Sequence, residues 1–382
     1  MKTKQIVVVG GGAAGFFAAI NCAEQAPDTK VVILERAKET LGKVRISGGG
    51  RCNVCHEEYD PRELAKSYPR GEKALLGPFH RFCTGDTVGW YYERGVELKT
   101  EADGRMFPTT DDSGTIVNCL QGSAMAAGVE VRTQMNMTGL EKGEDGKWLI
   151  ECGKAGVLEA DRVLLASGSN QRIWKMLGEM GHKIVSPVPS LFTFNVKDPR
   201  IKDLMGISVP AAEVRVAGSK LLASGPLLIT HWGFSGPAVL RISAWGAREL
   251  HGLGYDFELR LNWAPAYHLD DMVELLRAQR QAQARQQIAL HPQANLPKRL
   301  WRRLCTAAGI PDNLRWADLS KTQLRTLATE ITDGRYPVRG KSTFKEEFVT
   351  AGGVALNEVN FKTMESKRLP GLHFAGEVLD ID

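Results

Sequence analysis

The chain has 382 residues, 43% hydrophobic and 24% charged, with a formal net charge of +5. Such a length exceeds one ordinary core and predicts two or three domains, and the composition is globular rather than disordered. The basic excess is mild and blocks of one sign are short, a pattern that suits an anionic small molecule such as a dinucleotide and not a nucleic-acid surface. No apolar run reaches the roughly 18 residues of a membrane span. The opening MKTKQIVVVGGG lacks the long apolar stretch and small-residue cleavage site of a secretory signal. Seven scattered cysteines, an odd number, read as reduced thiols. The expectation is a cytoplasmic protein acting on a small molecule, with no membrane and no nucleic-acid partner.

In chain order, Ile6–Val9 is a β-branched run of the kind buried on both faces of a parallel sheet. Ala13–Gln25 carries helical spacing and Val31–Glu35 is a second buried strand, together a βαβ unit. Val129–Arg132 and Lys147–Glu151 predict strands of an antiparallel excursion, with Glu144-Asp145-Gly146 as hairpin turn chemistry. Arg162–Ala166 returns to the buried parallel type. Beyond Ser190, the runs LFTFNV, AEVRV, LLIT and DFELRL turn over on glycine and proline and predict a small β domain to about Asn262. Asp270–Leu290, Pro297–Ala308 and Ser320–Thr332 then read as helices rich in Arg, Gln and Leu. The stretch Gly352–Asp382 is β-like again. The fold class is therefore α/β, a Rossmann-like domain interrupted by a β-barrel-like domain and a small helical domain. The boundaries are 1–190 with 335–382, 191–263, and 264–334.

Gly10-x-Gly12-x-x-Gly15 directly follows the first strand and opens the first helix. Gly10 makes the tight turn, Gly12 lets the backbone approach a pyrophosphate, and Gly15 lets helix and strand pack closely. The helix N-terminus offers N–H groups to the phosphates. Glu35 closes the second strand at the distance where a carboxylate accepts from ribose hydroxyls. This pattern does not separate FAD from NAD. Two later segments favour FAD. VLLASGS, with Ala166, Ser167 and Gly168, resembles the strand and turn that cross near the flavin in two-dinucleotide-fold flavoproteins. LPGLHFAGEVLD resembles their terminal motif, in which Gly376 is followed by an acidic residue for the ribityl chain, either Glu377 or Asp380.

The string SGGGRCN, preceded by Lys43, resembles the BaiN/YhiN-type bacterial flavoproteins, as do THWGFSGPAVL, LPKRL and VTAGGV with the tail FAGEVLDID. The resemblance covers nearly the whole chain. It implies FAD running beside Ser47, Gly48, Gly49, Gly50, Arg51, Cys52 and Asn53. The glycines would let the backbone approach the cofactor, while Arg51 and Lys43 neutralise phosphate or reduced flavin. Ala14, Arg36 and Met137 complete the expected FAD contacts. The resemblance also implies, beyond Asp382, a Gly-rich loop and a closing helix at the isoalloxazine end. One departure is Asn53-Val54-Cys55-His56, where relatives have a different stretch.

Cys52-x-x-Cys55-His56 matches the c-type haem attachment pattern, but GGGRCN explains its first cysteine better. A redox-active Cys52/Cys55 pair is a sharper alternative, although flavin disulfide reductases space the two more widely. Zinc lacks its remaining ligands, and no metal site is expected. For proton transfer, His231 in THWGFSGP is the leading acid–base candidate, Cys52 a second catalytic candidate and Tyr336 a weaker one. Lys298, Arg299, Arg302 and Arg303 read as a solvated helix face. No second GxGxxG follows a strand, so NAD(P)H would dock only transiently as electron donor. The inserted domain is expected to cover the flavin and shape the substrate pocket. Three readings stay open: an FAD-dependent oxidoreductase moving hydride between flavin and a small organic substrate, a thiol–disulfide flavoenzyme, and a non-catalytic FAD-binding redox sensor. Oligomeric state is not legible.

Overall fold

Five short strands give the first unit its frame, and their burial explains their sequence. A computed structural model describes residues 4–342 and 349–382. β1 (Gln5–Val9), β2 (Lys30–Leu34), β3 (Glu130–Arg132), β4 (Arg162–Leu165) and β5 (Leu372–Phe374) form a parallel sheet in the spatial order β5-β4-β1-β2-β3. That is the doubly wound order expected of a Rossmann half, with the switch point between β1 and β4. Val8, Val31 and Ile33 face α1 (Ala13–Gln25) and α3 (Ser113–Ala126) on one side. Val7, Val9, Val32 and Leu34 face Trp148, Ile150 and Phe374 on the other. Neither face meets water, so the strands are apolar without alternation. α1 buries Phe16, Ala19, Ile20 and Ala23, the three-and-four spacing of one helical face. Between α1 and α3 lies α2 (Gly42–Gly50).

One predicted pairing is corrected. Val129–Arg132 is not part of an antiparallel excursion. Just past the end of α3, the positive φ of Gly128 turns the chain, and β3 then lies parallel to β2 with Val32 opposite Glu130. The partner of Trp148–Glu151 is instead Gly139–Lys142, and Val157–Ala160 completes a three-stranded antiparallel sheet. The turn between the first two was legible, and Gly146 sits there at φ 82°.

This unit comprises Met1–Pro187 with Val349–Asp382; the second is Val188–Phe348. In the second, a closed six-stranded barrel runs Thr193–Val196, Gly233–Ser235, Leu222–Ile229, Ser208–Val216, Asp256–Asn262 and Gly334–Ser342. The boundary expected near 335 thus falls within the strand that closes the barrel. Tyr336 and Val338 are fully buried there, and their alternation with exposed neighbours fixes that strand's inward face. The helices expected as a separate domain share one continuous core with the barrel, in which Leu276, Leu300 and Leu327 join Val214, Leu259 and Tyr336. The helix expected over Asp270–Leu290 ends at Ala282, where the run QAQARQQ supplies no apolar face to bury. Among the described residues no helix is long and apolar enough to cross a membrane.

Candidate functional site

The edge where β1 and β4 part carries a cleft of about 510 Å³. Its floor is the turn after β1. Gly10 has φ +118°, and a methyl group there would overlap the Ala166 carbonyl, so only glycine closes this turn. Gly15 lies beneath the cleft, where a methyl would overlap the Gly10 carbonyl and force α1 away from β1. At Gly12 the situation is reversed: a methyl would meet nothing within 4 Å. That space lies over the start of α1, whose first N–H groups have no side-chain cap. An anionic group entering there meets unpaired donors and the positive end of the helix.

Glu35 forms one wall and is held from two directions. Its Oε2 accepts from the Gly11 N–H at 2.8 Å and its Oε1 from the Ala37 N–H at 2.8 Å. Fixed this way, each oxygen keeps a lone pair for ribose hydroxyls. Opposite stand Ala166, Ser167, Gly168 and Asn170 of the turn after β4, with Gly376 and Glu377 after β5. Gly376 lies against Ala14, and Lys43 Nζ donates to Glu377 Oε2 at 2.7 Å. The Ser167 hydroxyl oxygen is buried with no hydrogen-bond partner among the described residues. Because Ser167 also lines the cleft, this hydroxyl is a group that a ligand there could satisfy. A smaller adjoining cavity, of about 50 Å³, is lined by Gly10, Glu35, Arg36, Met135, Asn136, Met137 and Ser167. The donors, the open space at Gly12, the held carboxylate and the orphaned hydroxyl fit a dinucleotide laid across the switch point.

Most of the expected contacts therefore converge. Gly10, Gly12, Ala14, Glu35, Arg36, Lys43, Ala166, Ser167, Gly168, Gly376 and Glu377 line the cleft, and Met137 the cavity beside it. Of the two acidic candidates after β5 only Glu377 lines it; Asp380 continues the chain, donating its N–H to the Val354 carbonyl. The residues Ser47–Asn53 are not among its walls. There the backbone kinks, with Gly48, Gly49, Gly50 and Cys52 all at positive φ. Arg51 turns to protein partners, hydrogen-bonding Glu101 at 2.5 Å and stacking on Phe107 at 4.0 Å. Asn53 is exposed. Sequence reasoning passed over Gly11, Leu41 and Asn170. Asn170 was accessible, since its Oδ1 caps the helix Gln171–Glu179 by accepting from the Arg172 N–H.

Two of the chemical candidates change character. Cys52 is buried in the apolar core beside Val44 and Trp90, and burial raises its thiol pKa. Burial pushes the Cys55 thiol up to about 11, and its sulfur packs 3.6 Å from that of Met106. Neither is poised as a thiolate. Tyr336 is fully buried in the barrel, where its oxygen accepts from Trp263 Nε1 at 3.1 Å and Arg200 stacks on its ring at 3.8 Å. Burial raises its pKa, so it is a packing residue rather than a proton donor. His231 is exposed in a turn closed by Thr230, and its ring makes no hydrogen bond among the described residues. Among those residues no group of His, Cys, Asp and Glu is placed to hold a metal ion.

The profile of the HI0933-like protein Rossmann domain matches residues 4–382. The chain belongs to the HI0933-like family. The resemblance to BaiN/YhiN-type flavoproteins is borne out, and with it a Rossmann-type FAD-binding domain. Among its relatives is the ribosomal RNA dihydrouridine synthase of Escherichia coli K12, 27% identical over 391 residues, spanning 100% of this chain and 93% of that protein. Another is the 3-dehydro-bile acid delta(4,6)-reductase of Clostridium scindens, 27% identical over 389 residues and spanning 99% and 93%. A 3-ketosteroid-delta4-(5alpha)-dehydrogenase from Rhodococcus jostii RHA1 shares the fold at a TM-score of 0.51 and 15% identity, over 99% of this chain and 91% of that one. This member of the HI0933-like family is an FAD-dependent oxidoreductase.

Proposed function

We propose that the protein reduces a carbon–carbon double bond conjugated to a carbonyl, with NAD(P)H as electron donor. The observation that carries this reading is that two relatives of equal identity, both matched over nearly their full length, have names that share one reaction. Making dihydrouridine saturates the double bond next to a uracil carbonyl, and a delta(4,6)-reductase of a 3-dehydro bile acid saturates double bonds in conjugation with a ketone. The substrates differ and the polarised alkene is common to both.

When bound, FAD supplies the two-electron redox chemistry. The chain's own part begins with holding that cofactor. The N–H groups of α1 and the gap at Gly12 receive the pyrophosphate, Glu35 accepts from ribose hydroxyls, and Ser167 gains the partner it lacks. Lys43 and Glu377 neutralise one another at the cleft, so Glu377 presents an acceptor with little net charge. Saturating the alkene also consumes a proton, and His231 is kept as the candidate donor on its side-chain chemistry alone. A thiol relay through Cys52 and Cys55 is disfavoured by their burial and raised pKa values.

The test is anaerobic. The FAD-loaded protein is titrated with NADH and then NADPH, and flavin absorbance is followed before and after adding carbonyl-conjugated alkenes. Bleaching by one nicotinamide and recovery with conjugated alkenes, but not with isolated ones, is expected. Recovery with disulfides alone would instead establish the thiol chemistry.

A further inference from the structure

A second cavity lies within the second unit. It occupies the groove between the helices Leu269–Ala282 and Lys321–Thr332, beside the single turn Trp316–Asp318, and measures about 570 Å³. Val273 and Leu324 form its base. Its walls carry four cations, Arg277, Arg280, Lys321 and Arg325, and no carboxylate. The spacing is what places them together. Arg277 and Arg280 are three apart on one helix, Lys321 and Arg325 four apart on the other, so each pair shares a face. Among the described residues only Arg277 of the four has a carboxylate partner, Glu274 at 2.6 Å, and both of those side chains are more than half exposed. Arg280 donates to the Ala317 carbonyl at 3.2 Å, which fixes its guanidinium at the rim. Lys321 and Arg325 are exposed and make no ion pair among the described residues.

Four cations converging on one groove, three of them with no carboxylate partner among the described residues, repel one another, and folding alone does not reward the arrangement. We infer that this groove docks the phosphate backbone of a structured RNA. Guanidinium forks match phosphate oxygens two at a time, and lysine adds a mobile point charge. The segment RAQRQAQARQQ brings Arg285 and several glutamines to the same end of the helix, and these add neutral donors and acceptors along a sugar–phosphate track. No aromatic side chain lines the groove, so it reads shape and charge rather than stacking unpaired bases. An anionic membrane surface would favour large apolar side chains around the cations, and the groove's two large ones, Val273 and Leu324, are buried, with only Ala284 and Ala317 as further apolar lining. The inference deepens the proposed reductase reading by choosing, between its two substrate types, a uracil carried on RNA. It departs from the small-molecule expectation drawn from overall charge, because a net +5 conceals where the charges sit.

The experiment uses the full chain loaded with FAD and a fluorescein-labelled, uridine-containing RNA hairpin, with binding measured by anisotropy across a salt series. The variants are Lys321→Glu with Arg325→Glu, and Arg280→Ala. The wild type should bind with affinity that falls steeply with salt. The double variant should bind on the order of tenfold or more weakly, with the slope of log affinity against log salt reduced by about 2. Flavin content and the thermal transition of the double variant should be unchanged, since both of its substituted residues are exposed. Reduction of a small conjugated enone, measured in parallel, separates the two claims. Enone turnover with hairpin binding absent or unaltered in the variants overturns the groove and leaves the reductase reading standing. Salt-sensitive hairpin binding lost in the variants, with no alkene reduced, supports the groove and removes the reductase. Equal binding of an anionic vesicle or an acidic peptide would also overturn the assignment to RNA.

Discussion

Replacing Gly12 with alanine separates folding from cofactor binding better than any other single change. Gly12 has φ −91° and ψ −173°, an extended conformation that alanine adopts freely, and the added methyl meets no atom within 4 Å. Folding should be unaffected or helped by a few tenths of a kcal/mol, as the unfolded chain loses freedom. The methyl does occupy the space over the uncapped N–H groups of α1. Holding a phosphate off those donors forfeits at least one charge-assisted hydrogen bond, worth about 1.5–3 kcal/mol. FAD affinity should therefore fall about 10- to 150-fold. Gly10→Ala is the contrasting control, because its positive φ and the overlap with the Ala166 carbonyl should cost about 1–3 kcal/mol of stability as well. The assay is quenching of FAD fluorescence against protein concentration, with urea unfolding of each apoprotein. Wild-type FAD affinity in the Gly12→Ala protein would refute the placement of the pyrophosphate.

Four further outcomes concern side chains outside the cleft. Burial pushes Cys55 up to about 11, so at pH 8 only about one native thiol in a thousand is ionised, and iodoacetamide should label it slowly until the protein unfolds. The folded state holds that proton more tightly than the unfolded one, so its contribution to stability is complete below the ordinary thiol value and is lost as pH rises from about 9 towards 11. Tyr336→Phe leaves the buried Trp263 N–H without its acceptor and should cost about 1–3 kcal/mol in thermal unfolding, with flavin content unaltered. His231→Gln should slow alkene reduction by about 10²- to 10⁴-fold, while FAD binding stays as in the wild type. An unchanged rate would remove His231 from the chemistry.

The dinucleotide cleft was legible because its requirements are local. A turn that only Gly10 can make, a helix start beside Gly12 and an acid at the end of the next strand all fall within one βαβ unit. The parallel strands announced themselves for a related reason, being apolar on both faces. What failed depends on partners distant in sequence. β3 looks like any short strand, and only its neighbour β2 makes it parallel. The barrel's closing strand lies more than seventy residues after its partner Asp256–Asn262, so Gly334–Ser342 read as part of the returning nucleotide domain. The contacts of Arg51 with Glu101 and Phe107 are equally distant in sequence and carry no local signal. The basic groove escaped because Arg277 and Lys321 are on different helices and each pair alone resembles a solvated face.

The most direct test of the central claim is an anaerobic single turnover with no donor in excess. Protein carrying fully reduced FAD is mixed with a carbonyl-conjugated alkene, and flavin absorbance and product mass are measured together. The account predicts one equivalent of product, heavier by two hydrogens, for each flavin reoxidised, and no product from protein left without FAD. Flavin that stays reduced with every conjugated alkene, yet reoxidises promptly in dioxygen, would contradict it.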